Sequence, residues 1–87
     1  MQIKYSKEFK KNYKKRVAVS LHVKKRFQER VELFSKNSRD PVLHDHQLKG
    51  AYKELRAFSI TGDMRVVYRI EKNTMVFLDI GTHNQVY

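Results

Sequence analysis

The sequence predicts an α+β fold, an N-terminal helical hairpin packed on one face of a small antiparallel β-sheet. Three observations predict it. Apolar residues recur at helical spacing through the first 36 positions. After Gly50 the apolar period changes from 3.6 to 2. The short pairs "TG" and "KN" then divide the alternating half into strands. With 87 residues, 40% hydrophobic and 32% charged, the composition is that of a single folded domain over 1–87.

The elements follow in order. "QIKYS" alternates, with Ile3 and Tyr5 on one face, and reads as a short first strand. Ser6 is a candidate N-cap, with Glu8 in the first turn, where a carboxylate suits the helix dipole. Phe9, Tyr13 and Val17 form a helical stripe opposite runs of lysine. "VAVS" interrupts the helix with β-branched residues, and Val23, Phe27, Val31 and Phe34 form a second stripe. Asn37 to Pro41 ends that helix, because the residue before proline disfavours it. "VLHDHQLKG" (42–50) is loop by composition. Strands are expected over 52–60, 63–71 and 74–83, with a turn at Thr61–Gly62 and another around Lys72–Asn73.

Composition narrows the function. The chain has no cysteine, which excludes disulfides and thiolate zinc sites. No apolar run reaches membrane-spanning length and the N-terminus has no signal-peptide core, so a cytoplasmic protein without membrane partners is expected. The net charge is +10. Residues 1–36 carry twelve Lys/Arg against three Glu, and residues 37–87 carry seven against six Asp/Glu. A one-sided basic element points to a polyanion, nucleic acid first. The bland alternative is a solvated helix face.

Strand parity then separates the surfaces. With a two-residue turn at Thr61–Gly62, Phe58 is opposite Arg65 and Arg56 opposite Val67. Leu55, Ala57, Met64, Val66, Tyr68 and Ile70 then face the helices. Arg56, Phe58, Asp63, Arg65 and Arg69 lie on the open face, with Glu54 set against Arg69 as a structural pair. A turn at Lys72–Asn73 one residue longer than two places Val76, Leu78 and Ile80 in the core and Phe77, Asp79, Gly81 and His83 outside. That register is chosen because burying an unpaired Asp costs several kcal/mol, of the order of 2–7. Asp63, Arg65 and His83 then cluster, with Tyr87 near enough to fold over them. Arginines hold a phosphodiester and its developing charge, histidine transfers protons near neutral pH, and Tyr87 and Phe58 offer faces for bases. The set suits a metal-free ribonuclease in which the RNA 2′-OH attacks the adjacent phosphate. "HDH" (44–46) lacks a third ligand with metal spacing.

The second half, "DHQLKGAYKELRAFSITGDMRVVYRI" continuing to "FLDIGTHNQVY", resembles the RelE/ParE superfamily of bacterial toxins, most closely its YafQ-type branch. The resemblance rests on "DHxLxG", "LR…TGDxRVVYRI" and "GTHxxxY" over residues 44–87. It implies a helical hairpin on a curved antiparallel sheet, and a toxin of a type II toxin–antitoxin system. It implies a ribosome-dependent mRNA interferase held inactive by a cognate acidic antitoxin, or, in the ParE branch, a DNA gyrase inhibitor. By resemblance His46, Asp63 and His83 match catalytic residues, Tyr87 a terminal aromatic, and Arg65 a phosphate-stabilising arginine. Arg56 falls where the RelE branch has lysine. Ser59 stands where the YafQ-type site has a further histidine, so the general base is open between His46 and Asp63, with His83 as general acid. Lys10, Lys11, Lys14, Lys15, Lys24 and Lys25 are expected to hold ribosomal RNA. No cofactor or metal is implied, and the free toxin is expected to be a monomer. The rivals are a ParE-like gyrase inhibitor without nuclease activity and a plain nucleic-acid-binding regulator.

Overall fold

The structure is a computed structural model that describes residues 2–87. Strand β1 (Gln2–Tyr5) leads through Ser6 into α1 (Lys7–Arg16), and a short turn leads to α2 (Leu21–Lys36). Two 3₁₀ turns, Pro41–Leu43 and Gly50–Tyr52, flank the two-residue strand β2 (His46–Gln47). Then come β3 (Leu55–Ser59), β4 (Met64–Glu71), β5 (Thr74–Thr82) and a one-turn helix α3 (His83–Val86). The sheet order is β1-β5-β4-β3-β2. Strands β3 to β5 are antiparallel, as expected; β2 adds an antiparallel strand from the stretch 42–50 that reads as loop in the sequence, and β1 adds in parallel beside β5. Among the described residues no helix is long and apolar enough to cross a membrane.

Both long helices begin as the sequence dictates. The Ser6 hydroxyl accepts from Phe9 N–H at 3.1 Å and the Ser20 hydroxyl from Val23 N–H at 3.3 Å, satisfying helix N–H groups that have no intrahelical partner. Their apolar stripes meet one face of the sheet. Phe9, Val17, Phe27 and Phe34 pack with Phe58, Val66, Tyr68, Phe77 and Ile80 in one core. Phe34 stacks on Phe58 with centroids 4.3 Å apart and planes at 12°.

The expected strand faces need two corrections. The β3–β4 connection holds an odd number of residues rather than two: the last ladder pair is Ser59 with Arg65, leaving the five residues Ile60 to Met64 between them. Thr61 Oγ1 accepts from the N–H groups of Asp63 and Met64 and holds that loop. Parity on β3 therefore reverses. Phe58 is a core residue at 1% exposure, not an open-face aromatic, and Arg56 lies opposite Tyr68 rather than Val67. Leu55 and Ala57 move to the other face, and Ile70 is half exposed rather than covered. Arg69 pairs with Glu71 at 2.6 Å, not with Glu54.

The β4–β5 turn is the short one. Glu71 pairs with Thr74, and Lys72 takes a left-handed φ of 56°. The additional residue sits instead in a bulge, since Val67 pairs with Asp79 but Tyr68 with Phe77. One skipped position lets Phe77 and Ile80, three residues apart, both enter the core. Asp79 is half buried, but it is not unpaired. It accepts from Asn12 Nδ2 at 2.7 Å and from Ile80 N–H at 2.8 Å, and lies 3.4 Å from Arg16.

Phe58 therefore tests the corrected register. Phe58→Ala is expected to lower unfolding free energy by about 3–5 kcal/mol in urea titration. Unchanged stability would return Phe58 to the surface.

Candidate active site

The C-terminal segment is built around Gly81. A Cβ there would lie 2.7 Å from Arg16 Nη1 and 2.7 Å from Gln85 Oε1, so only glycine admits both groups. Gln85 Oε1 in turn accepts from Thr82 N–H at 2.8 Å, a reciprocal cap that starts α3 at His83. His83 is thus the first residue of a helix rather than the last of a strand. One turn later Tyr87 meets it edge-on, ring centroids 4.6 Å apart.

Arg65 is across the ladder from Gly81. Its Nη1 donates to His83 Nδ1 at 3.3 Å, and its guanidinium lies 5.9 Å from the Tyr87 ring centroid. Arg65 forms no ion pair with a described carboxylate, and its buried Nε has no hydrogen-bond partner among the described residues. Since a guanidinium is always protonated, His83 Nδ1 is the acceptor and Nε2 carries the ring hydrogen.

The second histidine is fixed differently. His44 has a left-handed φ of 50°, and its carbonyl accepts from His46 Nδ1 at 2.8 Å. A carbonyl only accepts, so Nδ1 carries the hydrogen and Nε2 presents a lone pair. Between these residues Asp45 turns inward, its side chain 4% exposed. Its carboxylate accepts from Tyr68 Oη at 2.8 and 2.9 Å and from Arg56 Nε at 3.3 Å. Burial, then the hydrogen bond to Asp45, raises the Tyr68 pKa well above the ordinary tyrosine range. This clamp fastens the loop carrying His46 to the sheet.

Two adjoining grooves open on this end of the molecule. The larger, about 580 Å³, lies between α2 and the β3–β4 loop and is lined by His22, Arg26, Arg30, His44 and Ser59 among others. The smaller, about 300 Å³, holds Lys49, Tyr52, His83 and Tyr87. His46 and Arg65 line both. The structure therefore brings together His46, Arg65, His83 and Tyr87 of the expected set.

It does not bring the others. Asp63 is exposed in the β3–β4 loop, lines neither groove and makes no side-chain hydrogen bond with a described residue, because the ladder closes at Ser59 and Arg65 and leaves Asp63 outside it. Arg56 is held by Asp45 on the helix side of the sheet, and Phe58 is buried. Lys10, Lys11, Lys14, Lys15, Lys24 and Lys25 are exposed on the helices and line neither groove. His22, Arg26, Arg30 and Tyr52 are additional. The first three recur at i, i+4, i+8, a basic stripe at helical spacing that is readable in the sequence but is masked there by the neighbouring lysines. Among the described residues no three His, Asp or Glu side chains converge to hold a metal ion.

The family model described as "Bacterial toxin of type II toxin-antitoxin system, YafQ" matches residues 1–87. The chain belongs to the YafQ toxin family. Its fold is shared by YafQ from E. coli strain BL21(DE3), with a TM-score of 0.81, 24% identity, and 99% of this chain and 97% of that chain covered. A metal-bound toxin from Helicobacter pylori is 29% identical with a TM-score of 0.78, covering 100% of this chain and 99% of that one. The toxin of the E. coli DinJ–YafQ toxin–antitoxin complex is 25% identical with a TM-score of 0.78, covering 99% and 96%. No curated protein matches the chain. Among the YafQ-type features expected from the sequence, the fold is as read, and the histidines of "DHQL" and "GTH" border one groove.

Gly81→Ala is expected to leave the core intact but to displace Gln85 and the start of α3. The check is the ¹H–¹⁵N spectrum: signals of 82–87 should shift while those of β3 and β4 stay. An unchanged α3 would show that the glycine is not what positions His83.

Proposed function

We propose that this toxin is an endoribonuclease that cleaves mRNA on the ribosome. The observation that carries the proposal is the opposed tautomers of two histidines beside an unneutralised arginine. His46 Nε2 is the general base and takes the 2′-OH proton. The 2′-oxygen then bonds to phosphorus as the bond to the leaving 5′-oxygen breaks, and His83 protonates that oxygen. In the free protein Arg65 donates to His83 Nδ1. A phosphodiester drawn onto Arg65 releases that nitrogen, and its negative charge favours the imidazolium that acts as acid. Arg65 stabilises the phosphorane-like transition state, and Tyr87 orients substrate against His83. Two imidazoles supply both proton transfers, so the scheme is metal-independent. The products are a 2′,3′-cyclic phosphate and a 5′-hydroxyl.

Primer extension on mRNA from cells briefly expressing each variant tests this. Wild type should give codon-phased cuts. His83→Ala and His46→Ala should each lower the cleavage rate by roughly 10²–10⁴-fold, and Asp63→Asn by less. If Asp63→Asn were as damaging as His83→Ala while His46→Ala cut normally, the base role would pass to Asp63. Growth arrest without cuts would favour a gyrase inhibitor.

The helical lysines bind ribosomal RNA in this proposal, and the net charge of +10 suits an acidic antitoxin as the neutralising partner. The E. coli toxin–antitoxin complex supports such a partner. Replacing Lys10, Lys11, Lys14 and Lys15 by Gln is expected to weaken ribosome binding and to reduce the slope of log K against log salt by about 0.7–0.9 for each phosphate no longer neutralised. An unchanged slope would take the lysines out of the interface.

A further inference from the structure

The larger groove has a use that the proton-transfer residues leave open. Arg26 and Arg30 of α2 stand along one side and His44 and Ser59 border the other, and among the described residues no carboxylate lines it. Arg30 Nη1 donates to Val42 O at 3.2 Å, whereas Arg26 makes no ion pair or side-chain hydrogen bond with a described residue. The smaller groove differs in character, with Tyr52 57% exposed beside Tyr87. One groove offers cations to phosphates, and the other offers aromatic faces to bases.

The two histidines give the pair of grooves a direction. The attacking 2′-OH belongs to the nucleotide on the 5′ side of the scissile phosphate, and the leaving 5′-oxygen to the nucleotide on the 3′ side. His83 lines only the smaller groove, so the 3′ nucleotide lies there. His46 lines both, and Arg65, which holds the phosphate, is at the junction. The strand upstream of the cut then has one continuation, into the larger groove.

We propose that the groove between α2 and the β3–β4 loop is a second RNA subsite, which holds the strand 5′ to the cut with Arg26 against its phosphates. The RNA runs 5′ to 3′ from α2 towards α3. This rests on the nuclease reading, and adds to it a strand polarity and a binding residue.

The test uses the full chain carrying His83→Ala, which leaves a bound RNA uncut, and tetrauridylate bearing a nitroxide at its 5′ or its 3′ end. With the 5′ label, paramagnetic broadening is expected at the amides of residues 22–30. With the 3′ label it is expected at 49–52. Arg26→Gln should weaken tetrauridylate binding several-fold and lower its salt slope by about 0.7, the value for one single-strand phosphate. The reversed broadening pattern would overturn the polarity. Broadening along Lys10–Lys15 with either label would overturn the subsite. No binding of the tetranucleotide, with wild-type cuts still present in primer extension, would overturn the subsite and leave the nuclease reading standing. Absence of the cuts themselves would remove that reading.

Discussion

The free edge of β5 is the constraint on which the rest depends. Strand β1 covers β5 only as far as Phe77. Beyond that point the strand would expose unpaired carbonyls, and α1 takes over from β1. The Ser6 hydroxyl donates to Leu78 O at 3.1 Å and Arg16 Nη1 to Ile80 O at 2.9 Å, while Asn12 reaches Asp79 between them. Side chains of a helix thus finish an edge that backbone pairing leaves open, which also denies it to other chains. Arg16 must come close to the strand to do this, and Gly81 is the residue that admits it. The same absent side chain admits Gln85, which caps α3 and sets His83 beside Arg65. Edge closure and the placement of one imidazole share a single glycine.

The helices are legible because each carries one uninterrupted apolar stripe, and the first also a serine cap, signals that are local. On β4, Met64, Val66 and Tyr68 face the core as alternation predicts, for the same reason. The errors lie where a single residue changes parity. Thr61–Gly62 has the composition of a tight turn, yet the Thr61 hydroxyl holds a connection with five residues between the last ladder pair, Ser59 and Arg65, and that odd number reverses β3. On β5 the choice between registers turns on the cost of an unpaired Asp79. Its partners Asn12 and Arg16 come from 67 and 63 residues away, so no local pattern announces them. Moving the extra residue from the turn to the bulge satisfies two requirements that conflict in a regular strand. Phe77 is buried, and from Asp79 onward the faces are those the longer turn would have given.

Legibility of the site follows the same division. Arg65 lies beyond the bulge, where the expected parity holds, and it meets His83, which the cap of α3 rather than strand parity positions, at 3.3 Å. His46 comes from a motif and not from periodicity, because β2 has only two residues and no period to read. Arg56 reads as an open-face cation because its partner Asp45 lies on a loop whose path the sequence does not disclose. The Asp45–Arg56–Tyr68 clamp is nonetheless informative. A buried carboxylate with two donors is costly to disrupt, and it anchors the residue between two histidines. With Asp45 held inward, His44 takes its left-handed turn and directs its carbonyl at His46.

The basic surplus therefore divides into two populations with different work. The lysines of α1 and α2 are exposed and line neither groove. Charges acting through solvent are screened over about 8 Å at physiological salt. They can raise the rate of encounter with a polyanion and anchor it, but in the proposed reaction they would contribute little to charge developing at one phosphorus atom. Arg65 is the converse. It is half buried, without a carboxylate partner among the described residues, and touches the imidazole that the proposed mechanism makes the acid. In a site partly shielded from water each charge–charge interaction is several-fold stronger, about 4 kcal/mol at 4 Å against about 1 kcal/mol in bulk water. One arginine so placed outweighs several lysines on a helix face. The chain can therefore vary the number of lysines at little chemical cost, whereas Arg65, Gly81 and His83 are fixed to one another by geometry.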